Sequence, residues 1–260
     1  MEQYLKVAIE AARVGGEILK SYQGRFTSRE KSPKDLVTDA DLASQQAIQD
    51  YIFAKFPDHS FLGEESSADH CREARASERP LWVVDPLDGT ANYVHNLQNY
   101  AVSVALVKGT KVLVGAVYDP TNDSMYSASA NGPAMFNGRQ IQSSQCTQLD
   151  QAMVACSFPA GVKRIDPEVS QFLSVLEKCQ SVRRLGSAAL NLCYVAAGSL
   201  DAYWVQTIQT WDVAAGYLIA ERAGAKLTNV SGRDFDLWHP NVLAACTLEL
   251  HHLMLACLQE

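Results

Sequence analysis

The sequence predicts an α+β protein in which helices and strands from both halves of the chain build the fold. Three observations carry that expectation: helical spacing in the first third, strand-like segments from Leu81 to Ile141, and alternation of strand and helix after residue 150. With 260 residues, 47% hydrophobic and 20% charged, the chain can bury enough apolar area to fold unaided, as one large domain or two small ones sharing a core. We read a single domain over 1–260, with approximate halves 1–150 and 151–260.

The opening stretch, MEQYLKVAIEAARVGGEIL, places Leu5, Ile9, Ala12 and Leu19 at helical spacing, and carries Glu2 and Glu10 where a signal peptide would have a basic flank. The polar stretch SREKSPKDLVT reads as a loop. A second helix follows, with Leu42, Ile48, Ile52 and Phe56 marking its apolar face. The segments LWVV, AVSVALV, KVLVGAVY, SMYSAS and AMF are then separated by turn signals at Gly109-Thr110, DPTND, Asn131-Gly132 and Asn137-Gly138, which predicts an antiparallel meander. Beyond it come AMVACS, a helix after Pro167, SVRRL, a helix from Ser187 to Ala197, and DAYWV. A helix from Trp211 to Ala223, AKLTNV, VLAAC and a last helix to Leu258 complete the chain.

Acids outnumber bases 29 to 22, and no basic cluster is longer than VRR at Val182 to Arg184, so no footprint for nucleic acid or an anionic membrane exists. Small molecules are the expected partners. Nowhere do about eighteen apolar residues run unbroken, and a cytoplasmic protein is expected. The seven cysteines, Cys71, Cys146, Cys156, Cys179, Cys193, Cys246 and Cys257, are odd in number and scattered, with no Cys-x-x-Cys pair. That pattern fits neither a disulfide framework nor a zinc site, and it reads as reduced core residues.

The chemistry concentrates in WVVDPLDGTANYVH. Asp85 and Asp88 follow a hydrophobic strand, and Pro86 discourages the ladder from simply continuing. Two like charges this close raise each other's pKa unless a cation neutralises them, and Mg²⁺ or Ca²⁺ suits carboxylates with a backbone carbonyl such as that of Leu87. Asp88-Gly89-Thr90 resembles a helix start at which a phosphate would dock. Read alone, the same residues also fit a turn and a helix cap. Glu64 and Glu65 in FLGEESS, Asp212 in TWDVAAGYLIAERAGA, and Thr38 with Asp41 in VTDAD add acids, each with its own reading as surface loop, helix cap or capping box. No Gly-x-Ser-x-Gly elbow, phosphate-binding Gly-rich loop or His-Glu-x-x-His spacing competes. His95 is expected to pack the turn, and His251 and His252 to face solvent.

Taken together and in order, DLVTDAD, GEES, DPLDGTANYVH and WDVAAGYLIAERAGA closely resemble the inositol monophosphatase family of Mg²⁺-dependent, lithium-sensitive phosphatases. The resemblance runs from the Lys31 region to the Val242 strand and includes FNGRQI and RRLGSAALNL. It implies a layered αβαβα sandwich of the inositol monophosphatase and fructose-1,6-bisphosphatase type, and a homodimer. It further implies that Glu64, Asp85 and the Leu87 carbonyl hold one Mg²⁺ while Asp85, Asp88 and Asp212 hold a second. Thr90 and Asp41 match the pair that orients the attacking water. Four carboxylates and a phosphate dianion carry six negative charges, which three Mg²⁺ would balance, so a third, weakly held ion fits. The N–H groups of Gly89 and Thr90 would cradle the phosphate beside Asp88 and Asp212, and Gly186, Ser187 and Ala188 match a substrate-contact loop.

One position departs from the pattern. Family members acting on inositol phosphates carry a glutamate seven residues before the aspartate equivalent to Asp212, and here Val205 stands there. Losing a partner for a buried hydroxyl costs about 1 to 3 kcal/mol, so the alcohol-recognition side is altered while the reaction centre is intact. The roles of Lys31 and Lys34 stay open. The reading is therefore a phosphomonoesterase for a small polyol or sugar phosphate, inositol 1-phosphate first. Histidinol phosphate, fructose bisphosphate or a nucleoside bisphosphate are alternatives, as is a non-catalytic divalent-ion or protein-binding module.

Overall fold

The structure, a computed structural model, describes residues 1–67, 69, 72, 76 and 78–259. Helix α1 (Glu2–Tyr22) leads into a hairpin of β1 (Ser28–Ser32) and β2 (Asp35–Thr38), then α2 (Asp39–Phe53). A seven-stranded sheet follows, made of β3 (Ser60–Gly63), β4 (Leu81–Asp88), β5 (Ala101–Lys108), β6 (Lys111–Asp119), β7 (Ser124–Ser129), β8 (Met135–Phe136) and β9 (Arg139–Gln140), in that spatial order. Only the β3–β4 pair in it is parallel. The short α3 (Thr90–Val94) leaves the end of β4.

The second half supplies β10 (Met153–Ser157), α4 (Pro167–Lys178), β11 (Ser181–Arg183), α5 (Ala188–Ala196), β12 (Ala202–Val205), α6 (Thr210–Arg222), β13 (Lys226–Thr228), β14 (Val242–Ala245) and α7 (Leu248–Leu258). Its strands form a five-stranded mixed sheet in the order β11-β10-β12-β14-β13. Helices α1 and α2 cover one face of the larger sheet, α5 and α6 lie between the two sheets, and α4 and α7 cover the far face of the smaller one. The result is the five-layer αβαβα stack.

Strand alternation divides the core. On β4, Trp82 and Val84 point toward α1 and α2, while Leu81 and Val83 point into the middle layer. The same period puts Asp85 on the middle-layer face. On β12, Ala202 and Trp204 pack toward α7, and Tyr203 and Val205 into the middle layer. The close seat of α6 depends on Gly115 of β6, where a Cβ would lie 2.9 Å from the Ala215 backbone.

Several expectations need correction. SREKSPKDLVT is a hairpin, turned at Lys34 with φ of 68°. Every β1 residue is exposed, so no apolar alternation marks it as strand. Phe56 lies beyond α2, which ends at Phe53, and Leu42 is 43% exposed, the buried face being Ala40, Asp41, Ser44, Ile48 and Ile52. His251 is buried at 2% exposure, whereas His252 is exposed. The six described cysteines are free, with Cys156, Cys193, Cys246 and Cys257 buried and Cys146 and Cys179 half-buried. Cys71 lies outside the described residues. Among the described residues no helix is long and apolar enough to cross a membrane.

Candidate active site

The pairing of β4 with β5 explains why two carboxylates end a buried strand. Asp85 opposes Ser103 and Asp88 opposes Ala101, so β4 carries one extra residue at Pro86–Leu87, a bulge that re-aims its side chains. The Leu87 N–H donates to Asp85 Oδ1 at 2.9 Å, and the Ser44 hydroxyl ties the Pro86 carbonyl to α2 at 3.1 Å.

Both middle-layer helices aim their N-termini at this bulge. Asp88 accepts from the Ala188 and Ala189 N–H groups at 3.2 and 2.7 Å and from the Ser187 hydroxyl, which also caps α5 by accepting from Leu190 N–H. Asp212 stands in the first turn of α6 and accepts from Gln209 N–H at 3.0 Å in a capping box. These partial positive charges draw carboxylates toward one point. Asp85, Asp88 and Asp212 each place an oxygen within 4.8 Å of the others'.

That convergence sets like charges together under burial. Burial, then the charges of Glu64, Asp212 and Asp88, hold the Asp85 carboxyl well above the ordinary range, and burial with Asp88 and Glu64 does the same to Asp212. Asp88 is pushed up to about 6, because burial outweighs the bonds it accepts from Ser187, Ala189 and Ala188. The donor set is all carboxylate, with no His or Cys in it, and this hard-oxygen chemistry fits a hard divalent cation. Metal–oxygen distances of about 2.0 to 2.6 Å place opposed ligands roughly 4 to 5 Å apart, matching the observed spacing.

Glu64 does not join the three. It follows β3, its N–H donates to Val84 O at 3.1 Å, and its carboxylate pairs with Lys31 Nζ at 2.9 Å. Lys31, on the β1–β2 hairpin, also bonds Glu65, and despite burial the two carboxylates raise its pKa.

On the other side of the bulge, Thr90 opens α3. Its hydroxyl lies 3.1 Å from Leu87 O and 3.3 Å from Asp41 Oδ1. Asp41 is fully buried in the capping box of α2, with Oδ2 accepting from Thr38 N–H at 2.9 Å. Burial, opposed by the Thr38 bonds, pushes its carboxyl up to about 7. Gly89 adopts φ of 97°, and a Cβ there would meet Asn99 O at 3.1 Å and Gly186 O at 3.3 Å. The Asn92 amide pins this approach by donating to Leu185 O and Asn99 O, both at 2.7 Å.

Within the loop matched to substrate contact, Gly186 is exposed, whereas Ser187 and Ala188 are buried with their polar groups spent on Asp88. His95 is exposed at the end of α3. Val205 is fully buried in the middle core, and Gln206 donates to Gln171 Oε1 at 2.8 Å. The cavity that does open beside Asp88, 160 Å³ in volume, is lined by Ser157, Phe158, Arg184, Gly186 and Ile208. Three larger cavities, of 470, 370 and 190 Å³, are lined by none of Asp85, Asp88 and Asp212. Sequence reading missed Arg184 and Phe158 as lining residues. Arg184 could have been noticed two residues before Gly186, but nothing local marks Phe158, which only folding brings there.

Among solved structures this fold is found in phosphatases. The inositol monophosphatase of Anabaena (Nostoc) matches with a TM-score of 0.85 and 32% identity, over 99% of this chain and 96% of that one. The kinship extends through the whole sequence: the profile of the Inositol monophosphatase family matches residues 1–260, and the chain belongs to that family of phosphatases. Tomato inositol monophosphatase 2 is 38% identical over 250 residues, 94% of each chain. A protein of Aquifex aeolicus named fructose-1,6-bisphosphatase/inositol-1-monophosphatase is 38% identical over 234 residues, 88% of this chain and 87% of that one.

Proposed function

We propose that the chain, acting as one domain over 1–260, hydrolyses the phosphomonoester of a small polyol or sugar, with inositol 1-phosphate as first candidate. Asp85, Asp88, Asp212 and the Leu87 carbonyl would hold two or three Mg²⁺, with Glu64 added once its carboxylate leaves Lys31. Bound there, the ions would neutralise charge developing on the phosphoryl oxygens and acidify a water. The remaining work falls to the chain. Backbone N–H groups at Gly89 and Thr90 orient the phosphate, and the Asp88 and Asp212 carboxylates border it. The attacking water passes its proton to Thr90 Oγ1 as that hydroxyl gives its own proton to Asp41 Oδ1, 3.3 Å away.

The observation that carries this reading is the convergence of Asp85, Asp88 and Asp212 beside the Thr90–Asp41 pair. A module that merely stored a cation would have no use for that hydroxyl–carboxyl pair. A bisphosphate is the second reading, favoured by the name of the Aquifex relative. The family resemblance also supports a cytoplasmic homodimer inhibited by Li⁺. A panel of phosphate esters assayed with Mg²⁺ and scored by kcat/KM tests the proposal. Turnover of inositol 1-phosphate that chelation abolishes and Mg²⁺ restores is expected, and metal-independent turnover would refute it.

A further inference from the structure

The cavity beside Asp88 has a one-sided chemistry. Its polar side chains besides Asp88 are the Arg184 guanidinium and the Ser157 hydroxyl, the latter accepting from Tyr203 OH at 2.9 Å and so keeping its own proton free to donate. The remaining side chains of the lining, Phe158, Ala188 and Ile208, are apolar. The one carboxylate of the lining, Asp88, is engaged by Ser187, Ala188 and Ala189 rather than by Arg184.

Arg184 is exposed, and no described carboxylate pairs with it. Its guanidinium lies over the Phe158 ring, 5.8 Å from the centroid, which restricts the fork while leaving its N–H groups available. A planar donor fork over an apolar floor selects an acceptor-only, charged group. We propose that Arg184 and Phe158 form a second-anion subsite: the alcohol portion of the preferred substrate bears a further oxyanion, phosphate or carboxylate, besides the ester that is cleaved. The proposal rests on the phosphatase reading above and narrows its substrate class.

Two pairs of esters test it with the Mg²⁺-loaded enzyme. 2-Phosphoglycerate and glycerol 2-phosphate differ by a carboxylate in place of a hydroxymethyl group. Fructose 1,6-bisphosphate and fructose 1-phosphate differ by the second phosphate. Wild type should favour the anionic member of at least one pair by about tenfold or more in kcat/KM, and the pair that shows it identifies carboxylate or phosphate as the recognised group. Arg184→Gln should cut that ratio by about tenfold, with Arg184→Lys retaining part of it, since a point charge keeps attraction but loses the fork. An equal fall for both members of a pair in Arg184→Gln would overturn the subsite, because the guanidinium would then be holding the reacting phosphate. Indifference of wild type within both pairs, with glycerol 2-phosphate still turned over, would overturn the subsite and leave the phosphatase intact. Failure to hydrolyse any ester would bring down both.

Discussion

Thr90 and Val205 show how far single side chains can be read. The Thr90 hydroxyl touches Leu87 O and Asp41 but belongs to no cluster of ligand carboxylates. Thr90→Ala should therefore lower kcat by at least about tenfold while leaving Mg²⁺ affinity, followed calorimetrically, nearly unchanged; a variant of normal rate with only a lower Tm would reduce Thr90 to a helix-start residue. Val205 was legible as a departure from the family pattern, but its surroundings were not. It is sealed in the middle core, so Val205→Glu should bury a charge and lower Tm by several degrees rather than sharpen recognition of inositol. Measured Tm for this variant equal to wild type would show that the position opens to solvent. The acids at 85, 88 and 212 announced themselves through residue type and order. Arg184 did not, because its meaning depends on Phe158, 26 residues away in sequence.

At the scale of elements, turns were legible and polar strands were not. Asn137 and Gly138, both with positive φ, and Gly109 close hairpins where the sequence placed them. The β1–β2 hairpin carries no apolar alternation, so only its pairing reveals it. The same limit hid His251, whose helix α7 turns it inward against β13. Thr228 Oγ1 donates to Asn229 O, so the His251 Nε2–H donates to Thr228 Oγ1 at 2.8 Å, and Nδ1 is buried without a partner. Burial, aided by Lys226 and His252, lowers its pKa to about 4. In the unfolded chain a histidine takes its proton near pH 6.5, so the unfolded state binds more protons between there and about 4, and stability falls as pH falls through that window. His251→Gln should flatten this part of a Tm-against-pH curve. An unchanged acid slope would place the sensitivity elsewhere.

For the whole molecule, the five layers do one electrostatic job: they bring the end of β4 and the N-termini of α5 and α6 together where water is scarce. The raised carboxyls of Asp41, Asp85, Asp88 and Asp212 make the metal-free fold bind protons that the unfolded chain, ionising near 4, has already released. Without metal, that contribution is present at low pH and is lost as pH rises, for Asp88 through about 6 and for Asp41 through about 7. Added Mg²⁺ should accordingly raise Tm more at pH 8 than at pH 5, and an equal shift at both would detach the acids from the metal. The layered fold itself was implied by the order of four motifs, whereas the depth at which each acid sits came only from the packing of the two halves. The most direct test of the account is the rate of phosphate release from inositol 1-phosphate, or from the best ester of the panel, by Asp212→Asn at saturating Mg²⁺. Asparagine keeps the volume and can still accept from Gln209 N–H, so the fold should survive. The account predicts a fall in kcat of at least about a hundredfold, and a folded variant with near-normal kcat would contradict it.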